Sequence, residues 1–296
     1  MNPIPKIFID DQLQETFDKE GYVTLPLVSD EDVERLRALF FKYHTERADN
    51  AFQSSTFLDD KAYKVAISND IQEILLLYFK QFLCNFEALG SSFLFKTKGM
   101  NSELAAHQDW TIVDERKDIA MNVWIPLSDT NEKNGTLYVL PRSHSKYLFT
   151  LRAPTIPFFF EKHEHLVKQH LVPIPTKAGS AIVLNESLIH YSSANVEDDI
   201  RIAITSGVIN QNAPMIFHYM NHKREIERFS VERDFLLSIE GFHKNIFERP
   251  AHLHSLGFIQ ESLPLLSQAQ LETFIETQKV PEVQQGWWEK IKTVFQ

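Results

Sequence analysis

The chain predicts an α+β fold that is mainly β, with helices ahead of a β core and a helical extension behind it. Three observations carry that expectation. The segments beginning at Phe86, Ala120, Ser180 and Arg201 have strand composition, with apolar, β-branched and aromatic runs. Ahead of them, residues 29–41 and 70–84 place apolar side chains at helical spacing. Residues 222–296 are rich in charge and helical in flavour. No Gly/Ser-rich linker divides the chain, and large β-barrels commonly reach this length as one domain. Residues 1–296 therefore read as a single domain, with a core at about 85–210 and the helical extension at about 211–296.

Residues 11–20 read as a short helix, and Gly21-Tyr-Val-Thr-Leu-Pro26 as a strand stopped by proline. Ser29 has the character of an N-cap, with acids in the first turn, and Val33, Leu36, Leu39 and Phe40 follow on one face. Ile71, Ile74, Leu75, Tyr78, Phe79 and Phe82 form a second amphipathic stripe. Asn134-Gly135 signals a tight turn between two strands. Leu151–Glu164 holds two prolines and Phe158-Phe-Phe160 without periodicity, which suits a binding loop or an aromatic plug equally well. Asp198-Asp199 before Arg201 could hold that arginine in place, but turn chemistry suffices for the pair. The terminal Trp287-Trp288 fits a membrane-surface or partner contact, but packing onto the barrel is the commoner fate of such a pair.

The chemistry centres on His107-Gln108-Asp109. A strand points alternate side chains to one face, so His107 and Asp109 converge while Gln108 faces away. A second apolar segment ends in His190. Two imidazoles and one carboxylate on one face of a metal leave the other face open, the arrangement of non-haem Fe(II) oxygenases. A bare His-x-Asp is common by chance and carries little weight alone. Ser192 follows His190 by two positions, and Arg201 stands eleven positions after it at the head of an apolar strand. A guanidinium fork there suits a carboxylate. His-x-Asp, His-x-Ser and Arg in this order are much less often accidental.

On these residues the chain resembles the phytanoyl-CoA dioxygenase-like Fe(II)/2-oxoglutarate oxygenases. The resemblance runs over roughly residues 20–210. It rests on Ala106-His-Gln-Asp-Trp110, Trp124-Ile-Pro-Leu-Ser-Asp-Thr130, Asn134 to His144, Gly179, His190-Tyr-Ser192 and Arg201. It implies a double-stranded β-helix (jelly-roll, cupin-like) core. It also implies Fe(II) held by His107, Asp109 and His190, with 2-oxoglutarate and O2 as co-substrates. The co-substrate would be met by Arg201 and Ser192, with Trp124 and Lys96 as further pocket residues. Trp124 serves equally well as a functionless core residue, and Lys96 as a solvated strand charge. Trp110, Arg142 and Phe159 are candidates on the substrate side. Arg142 stands where relatives usually carry the Gly of a Pro-Gly-Ser-His turn, which would set an extra cation near the pocket.

Coordination arithmetic follows from that implication. Three protein ligands and a chelating 2-oxo acid leave one of six positions for O2. Decarboxylation to succinate and CO2 would accompany oxidation of a substrate C–H. The retained Asp109 favours hydroxylation or desaturation over halogenation. Two alternatives stand beside this reading: a non-catalytic metal-binding jelly-roll sensor, and a protein- or nucleic-acid-modifying oxygenase. Arg201-Ile-Ala203 lacks the Arg-x-Ser of many penicillin-synthase-like relatives, and Ser192 favours the phytanoyl-type branch.

Composition bounds the remaining classes. With 43% hydrophobic and 24% charged residues the chain is ordinary for a globular protein. A net charge of −10 argues against a nucleic-acid partner and disfavours a large anionic CoA ester, leaving a small metabolite as the expected substrate. Cys84 is the only cysteine, so no intrachain disulfide forms. The start lacks the long apolar region of a signal peptide, and no segment reaches the ~20 apolar residues of a bilayer span. A cytoplasmic location is the expectation. His163-Glu-His165 and His252-Leu-His254 lack a carboxylate-plus-distal-His context and read as surface histidines. Oligomeric state is not encoded in any feature of the sequence.

Overall fold

The computed structural model describes residues 5–44 and 52–278. The C-terminal tryptophan pair lies outside them.

Three helices lie within residues 11–82, interleaved with two short strands. Helix α1 (Asp11–Glu20) is capped by the Asp10 carboxylate and ends on Gly21 at φ +83°, the left-handed position that a glycine adopts without strain. Helix α2 (Asp30–Tyr43) starts at the expected Ser29 cap, whose hydroxyl accepts from the Asp32 amide. Helix α3 (Lys61–Phe82) extends the expected stripe by nine residues at its N-terminal side, from the Asp60 cap.

The strands are β1 (Tyr22–Pro26), β2 (Phe52–Ser54), β3 (Phe86–Lys96), β4 (Leu104–His107), β5 (Ala120–Pro126), β6 (Leu137–Val139), β7 (Val172–Ile174), β8 (Ser180–Asn185), β9 (His190–Ser192) and β10 (Arg201–Asn210). They form an antiparallel six-stranded sheet, β1-β8-β5-β10-β3-β2, and a four-stranded sheet, β4-β9-β6-β7. Strand alternation divides the large sheet into two faces. Met121, Val123, Ile125, Ile202, Ile204 and Val208 pack beneath the helices with Phe17, Leu36, Ile71 and Phe79. The opposite face offers Trp124, Ile182, Leu184 and Ala203, which pack against Leu137 and Val139 of the small sheet. Between the sheets lies a cavity of about 400 Å³.

Asn134-Gly135 is a turn, but not a hairpin within one sheet. It carries the chain from β5 in the large sheet to β6 in the small one. Leu151–Glu164 leads through an isolated bridge into a short helix, α4 (Glu164–Lys168).

The region after β10 differs from its helical expectation. It carries a third antiparallel sheet, β11 (Ile216–Met220), β12 (Ile226–Ser230) and β13 (His254–Ile259). Single turns of helix, α5 (Phe235–Ser238) and α6 (Phe242–Asn245), separate β12 from β13. Only α7 (Gln268–Gln278) is a longer helix among the described residues. The cause is long-range packing. Phe217, Phe229 and Phe235 bury against Ile112, Ala120 and Ile209 at one end of the barrel, and local charge content does not report that contact. Among the described residues no helix is long and apolar enough to cross a membrane.

Candidate active site

His107 and His190 are direct cross-strand partners of β4 and β9, which brings their ring centroids to 4.1 Å. The Nδ1 of His107 lies 2.8 Å from Ala105 O, and that of His190 lies 3.0 Å from Leu188 O. Each carbonyl holds the Nδ1–H tautomer and leaves Nε2 as a free lone pair. The two Nε2 atoms stand 4.0 and 3.9 Å from one Asp109 oxygen. Strand β4 ends at His107, so Asp109 arrives by the turn that follows rather than by continued alternation. Gln108 is buried, and its amide donates to Ser187 O. Burial and the neighbouring His190 bring the His107 imidazolium down to about 4, so that ring stands ready as a neutral ligand at neutral pH. These three residues form the one His/Cys/Asp/Glu group with metal-binding spacing among the described residues. The His163 and His252 motifs are not part of it.

The carboxylate has its own supports. Asn122 Nδ2 donates to Asp109 Oδ2 at 3.3 Å, and Thr205 Oγ1 donates to the Asn122 carbonyl. Buried Arg152 gives Nε to Asp109 O at 2.8 Å and spends the rest of its fork on Glu115 and Thr150 O. Asn122 was legible in principle, because it shares the parity of Trp124 on β5. Arg152 was not, since it lies in the irregular segment after β6.

The closed end of the cavity is cationic. Arg201 is 2% exposed, its Nε has no partner, and its nearest acceptor is Leu94 O at 3.5 Å from Nη1. The guanidinium lies over Trp124, 5.6 Å from the ring centroid. Burial lowers it to about 9. Lys96 pairs with Arg201 across β3 and β10 and is fully buried, not a solvated charge. Its amine donates to Ser192 Oγ (2.7 Å), Ser192 O (3.1 Å) and Ser193 O (2.7 Å), so it stands behind Ser192 rather than on the cavity wall. Burial and the Arg201 charge bring Lys96 down to about 6. Neither cation has an ion-pair partner among the described residues. Gly135, at φ +89°, closes over them. A Cβ there would sit 2.9 Å from Lys96 Cδ and 3.4 Å from Arg201 Nε. A buried guanidinium with an orphaned nitrogen, beside a lysine amine, needs an anion, and the donor set suits one carboxylate.

Of the substrate-side candidates, Trp110 lines the cavity and stacks on Phe242 at 5.9 Å. Phe159 does not. It is buried against Phe274 and Leu271 of α7, at 5.5 Å between the Phe rings, and Phe158 reaches the cavity instead. The aromatic plug wins because α7 supplies an apolar partner from far along the chain. Arg142 also lies off the cavity. Its backbone adopts φ +67°, the glycine-like turn, and its amide donates to Glu20 O while Nε lies 4.0 Å from the Glu20 carboxylate. Its cation therefore faces α1. Asp198 pairs with Lys98, and Asp199 O accepts from Asn195, so neither acid holds Arg201.

A family model described as phytanoyl-CoA dioxygenase (PhyH) matches residues 17–203. A Danio rerio protein, phytanoyl-CoA dioxygenase domain-containing protein 1, is 32% identical over 42% of this chain and 45% of its own length. Phytanoyl-CoA dioxygenase 1 of Oryza sativa subsp. japonica is 27% identical over 67% of this chain and 77% of its own. The chain thus spans less than half of the first of these relatives. Among solved structures, the α-ketoglutarate-dependent carbocyclase SnoK of nogalamycin biosynthesis shares the fold at a TM-score of 0.52 and 16% identity, over 70% of this chain and 86% of that one. HygX of Streptomyces hygroscopicus, solved with nickel and 2-oxoglutarate, does so at 0.50 and 18%, over 69% and 88%.

Proposed function

Since the chain belongs to the phytanoyl-CoA dioxygenase family, we propose that it is an Fe(II)- and 2-oxoglutarate-dependent dioxygenase that oxidises an unactivated C–H of a small metabolite. One observation carries this reading. A His-Asp-His face and an orphaned buried guanidinium line the same cavity. When bound, Fe(II) with 2-oxoglutarate and O2 supplies the oxidising power, and one oxygen atom enters the C–H bond while the other leaves in succinate beside CO2. His107, Asp109 and His190 would hold the metal. Arg201 would take the distal carboxylate of 2-oxoglutarate through two parallel bonds, and Ser192, whose oxygen already accepts from Lys96, keeps its own hydrogen for the same carboxylate.

The chain's own groups do the rest. The Ala105 and Leu188 carbonyls fix both imidazoles, and Asn122 and Arg152 fix Asp109. Trp124, Leu94 and Leu137 keep water from the cationic end. Arg201 is the one Lys or Arg lining the cavity among the described residues, so phosphate groups of a CoA ester find no partner there. The third sheet and α7 pack on the barrel through the Phe217 and Phe159 clusters, which supports one oxygenase domain. Anaerobic addition of 2-oxoglutarate to the Fe(II)-loaded protein tests the proposal. The expected result is the weak visible charge-transfer band of a chelated 2-oxo acid, followed by succinate release when O2 is admitted. A folded, iron-loaded protein without that band is a binding module instead.

A further inference from the structure

The cavity has a second polar feature, at the opposite end from Arg201. Glu186 follows β8 on the face shared by Ile182 and Leu184 and lines the cavity. Its amide donates to Ala120 O, which anchors it at the end of β5 where Ala120 pairs with Ile209. The residue is 6% exposed, and its Oε2 has no hydrogen-bond partner. The nearby cation Arg152 is already committed to Glu115, Thr150 and Asp109. An unpaired carboxyl buried among Trp110, Ile112 and Leu184 costs stability, and such a group persists where a ligand satisfies it.

We propose that Glu186 selects the prime substrate by bonding a hydroxyl or amino group on a compact molecule that is otherwise apolar. This rests on the oxygenase reading above, because it assigns the remaining end of that same cavity. Cavity-lining Leu89, Ile112, Trp110 and Leu236 pack around Ala120 and Ile209 at this end, with Phe242 stacked on Trp110, and they fit a hydrocarbon skeleton. Burial, reinforced by Asp109 and Glu115, raises the Glu186 carboxyl well above its usual range. A neutral acid both donates to and accepts from a hydroxyl. An amine takes its proton and leaves a carboxylate–ammonium pair. A substrate carboxylate meets an unpaired acid and no lining cation at this end, and is rejected.

The test uses the full chain loaded with Ni(II), which is inert to turnover, and 2-oxoglutarate, titrated with 1-adamantanol, 1-adamantylamine and 1-adamantanecarboxylate. The alcohol or the amine binds, and the carboxylate binds at least about tenfold more weakly. Glu186→Met weakens the favoured probe about tenfold or more and raises the melting temperature, because the unpaired carboxyl is gone. Glu186→Gln separates the two sources: it keeps alcohol binding and loses amine binding. A purely structural Glu186 would instead lower the melting temperature on substitution. Equal binding of the carboxylate, unchanged binding in Glu186→Met, or no binding by any probe overturns the assignment. Titration of 2-oxoglutarate alone is run beside it. Its failure to bind would sink the oxygenase reading, while the probe series on the Ni(II) protein would still report on Glu186.

Discussion

The two ends of the cavity are built differently. At one end Arg201, Lys96 and Ser192 come from paired barrel strands, and a glycine closes over them with no room for a side chain. At the other, Glu186 shares the cavity wall with Trp110, Leu236, Leu237 and Phe242, and the last three belong to the segment after the barrel. The first end holds an unpaired guanidinium, the second an unpaired carboxyl. A guanidinium inside a register-fixed sheet suits a ligand that never changes. An acid under an appended cover suits a ligand that differs from one protein to the next. The metal triad stands between them, so each end is testable by substitutions that leave the other intact.

The largest effect expected breaks both ends at once. His190→Ala removes one of two imidazoles and should abolish metal-dependent succinate release, with Fe(II) content falling in parallel. Full activity in that variant would remove the triad from the chemistry.

Arg201→Lys separates the ends. It keeps the charge but loses the fork, so 2-oxoglutarate should bind at least about tenfold more weakly, since a hydrogen bond to a charged group contributes roughly 1.5–3 kcal/mol. Fe(II) affinity and adamantanol or adamantylamine binding should not follow. Calorimetry with 2-oxoglutarate, beside a measurement of iron content, checks this. An unchanged 2-oxoglutarate affinity would take Arg201 out of the site.

Lys96 sharpens the comparison through pH. Burial lowers its folded value to about 6, against an unfolded lysine near 10.5. Between those limits the unfolded chain holds one more proton, so this residue makes stability rise with pH from about 6 to about 10.5, and the slope vanishes below about 6. Lys96→Met should remove that slope and raise the melting temperature at pH 7. An anion seated beside Arg201 favours the ammonium form, so 2-oxoglutarate binding near pH 7.5 should take up a proton in the parent and not in Lys96→Met. Calorimetry in buffers of different ionisation enthalpy reads this directly, and identical proton uptake in the two proteins would exclude Lys96.

What the sequence reveals follows the same division. His107, His190, Ser192 and Arg201 sit where strand alternation and strand order place them, both local properties of the chain, while Asp109 lies just past the end of β4 and reaches the same point through its nearness to His107. Lys96 was placed near the site, but its burial depends on Gly135 and Ser192 closing over it. The Glu186 end is unreadable locally. Its cover comes from the single helical turns α5 and α6, and the packing of Phe217, Phe229 and Phe235 on Ile112 and Ile209 holds that segment in place. Phe159 and Phe158 are neighbours in one run, and α7, more than a hundred residues on, decides which is core and which lines the cavity.

The smallest effect expected concerns Arg142, where a cation offered to the substrate by the sequence turns out to face α1. Its φ of +67° is a position glycine adopts freely, and a left-handed non-glycine residue costs roughly 1–2 kcal/mol. Arg142→Gly relieves that strain. Against this, glycine gives the unfolded chain more freedom, worth about 0.4–1 kcal/mol in the other direction. The long contact to Glu20, 4.0 Å from Nε to the carboxylate, is also lost, although Lys19 still stands 3.5 Å from the same residue. The terms oppose one another, so the net change in stability should fall within about 1 kcal/mol. The amide bond to Glu20 O is a backbone contact and survives the substitution. Both ends of the cavity should therefore keep their affinities for 2-oxoglutarate and for the adamantane probes. A loss of probe binding in Arg142→Gly, with the melting temperature unchanged, would return Arg142 to the substrate side and move the selecting charge away from Glu186.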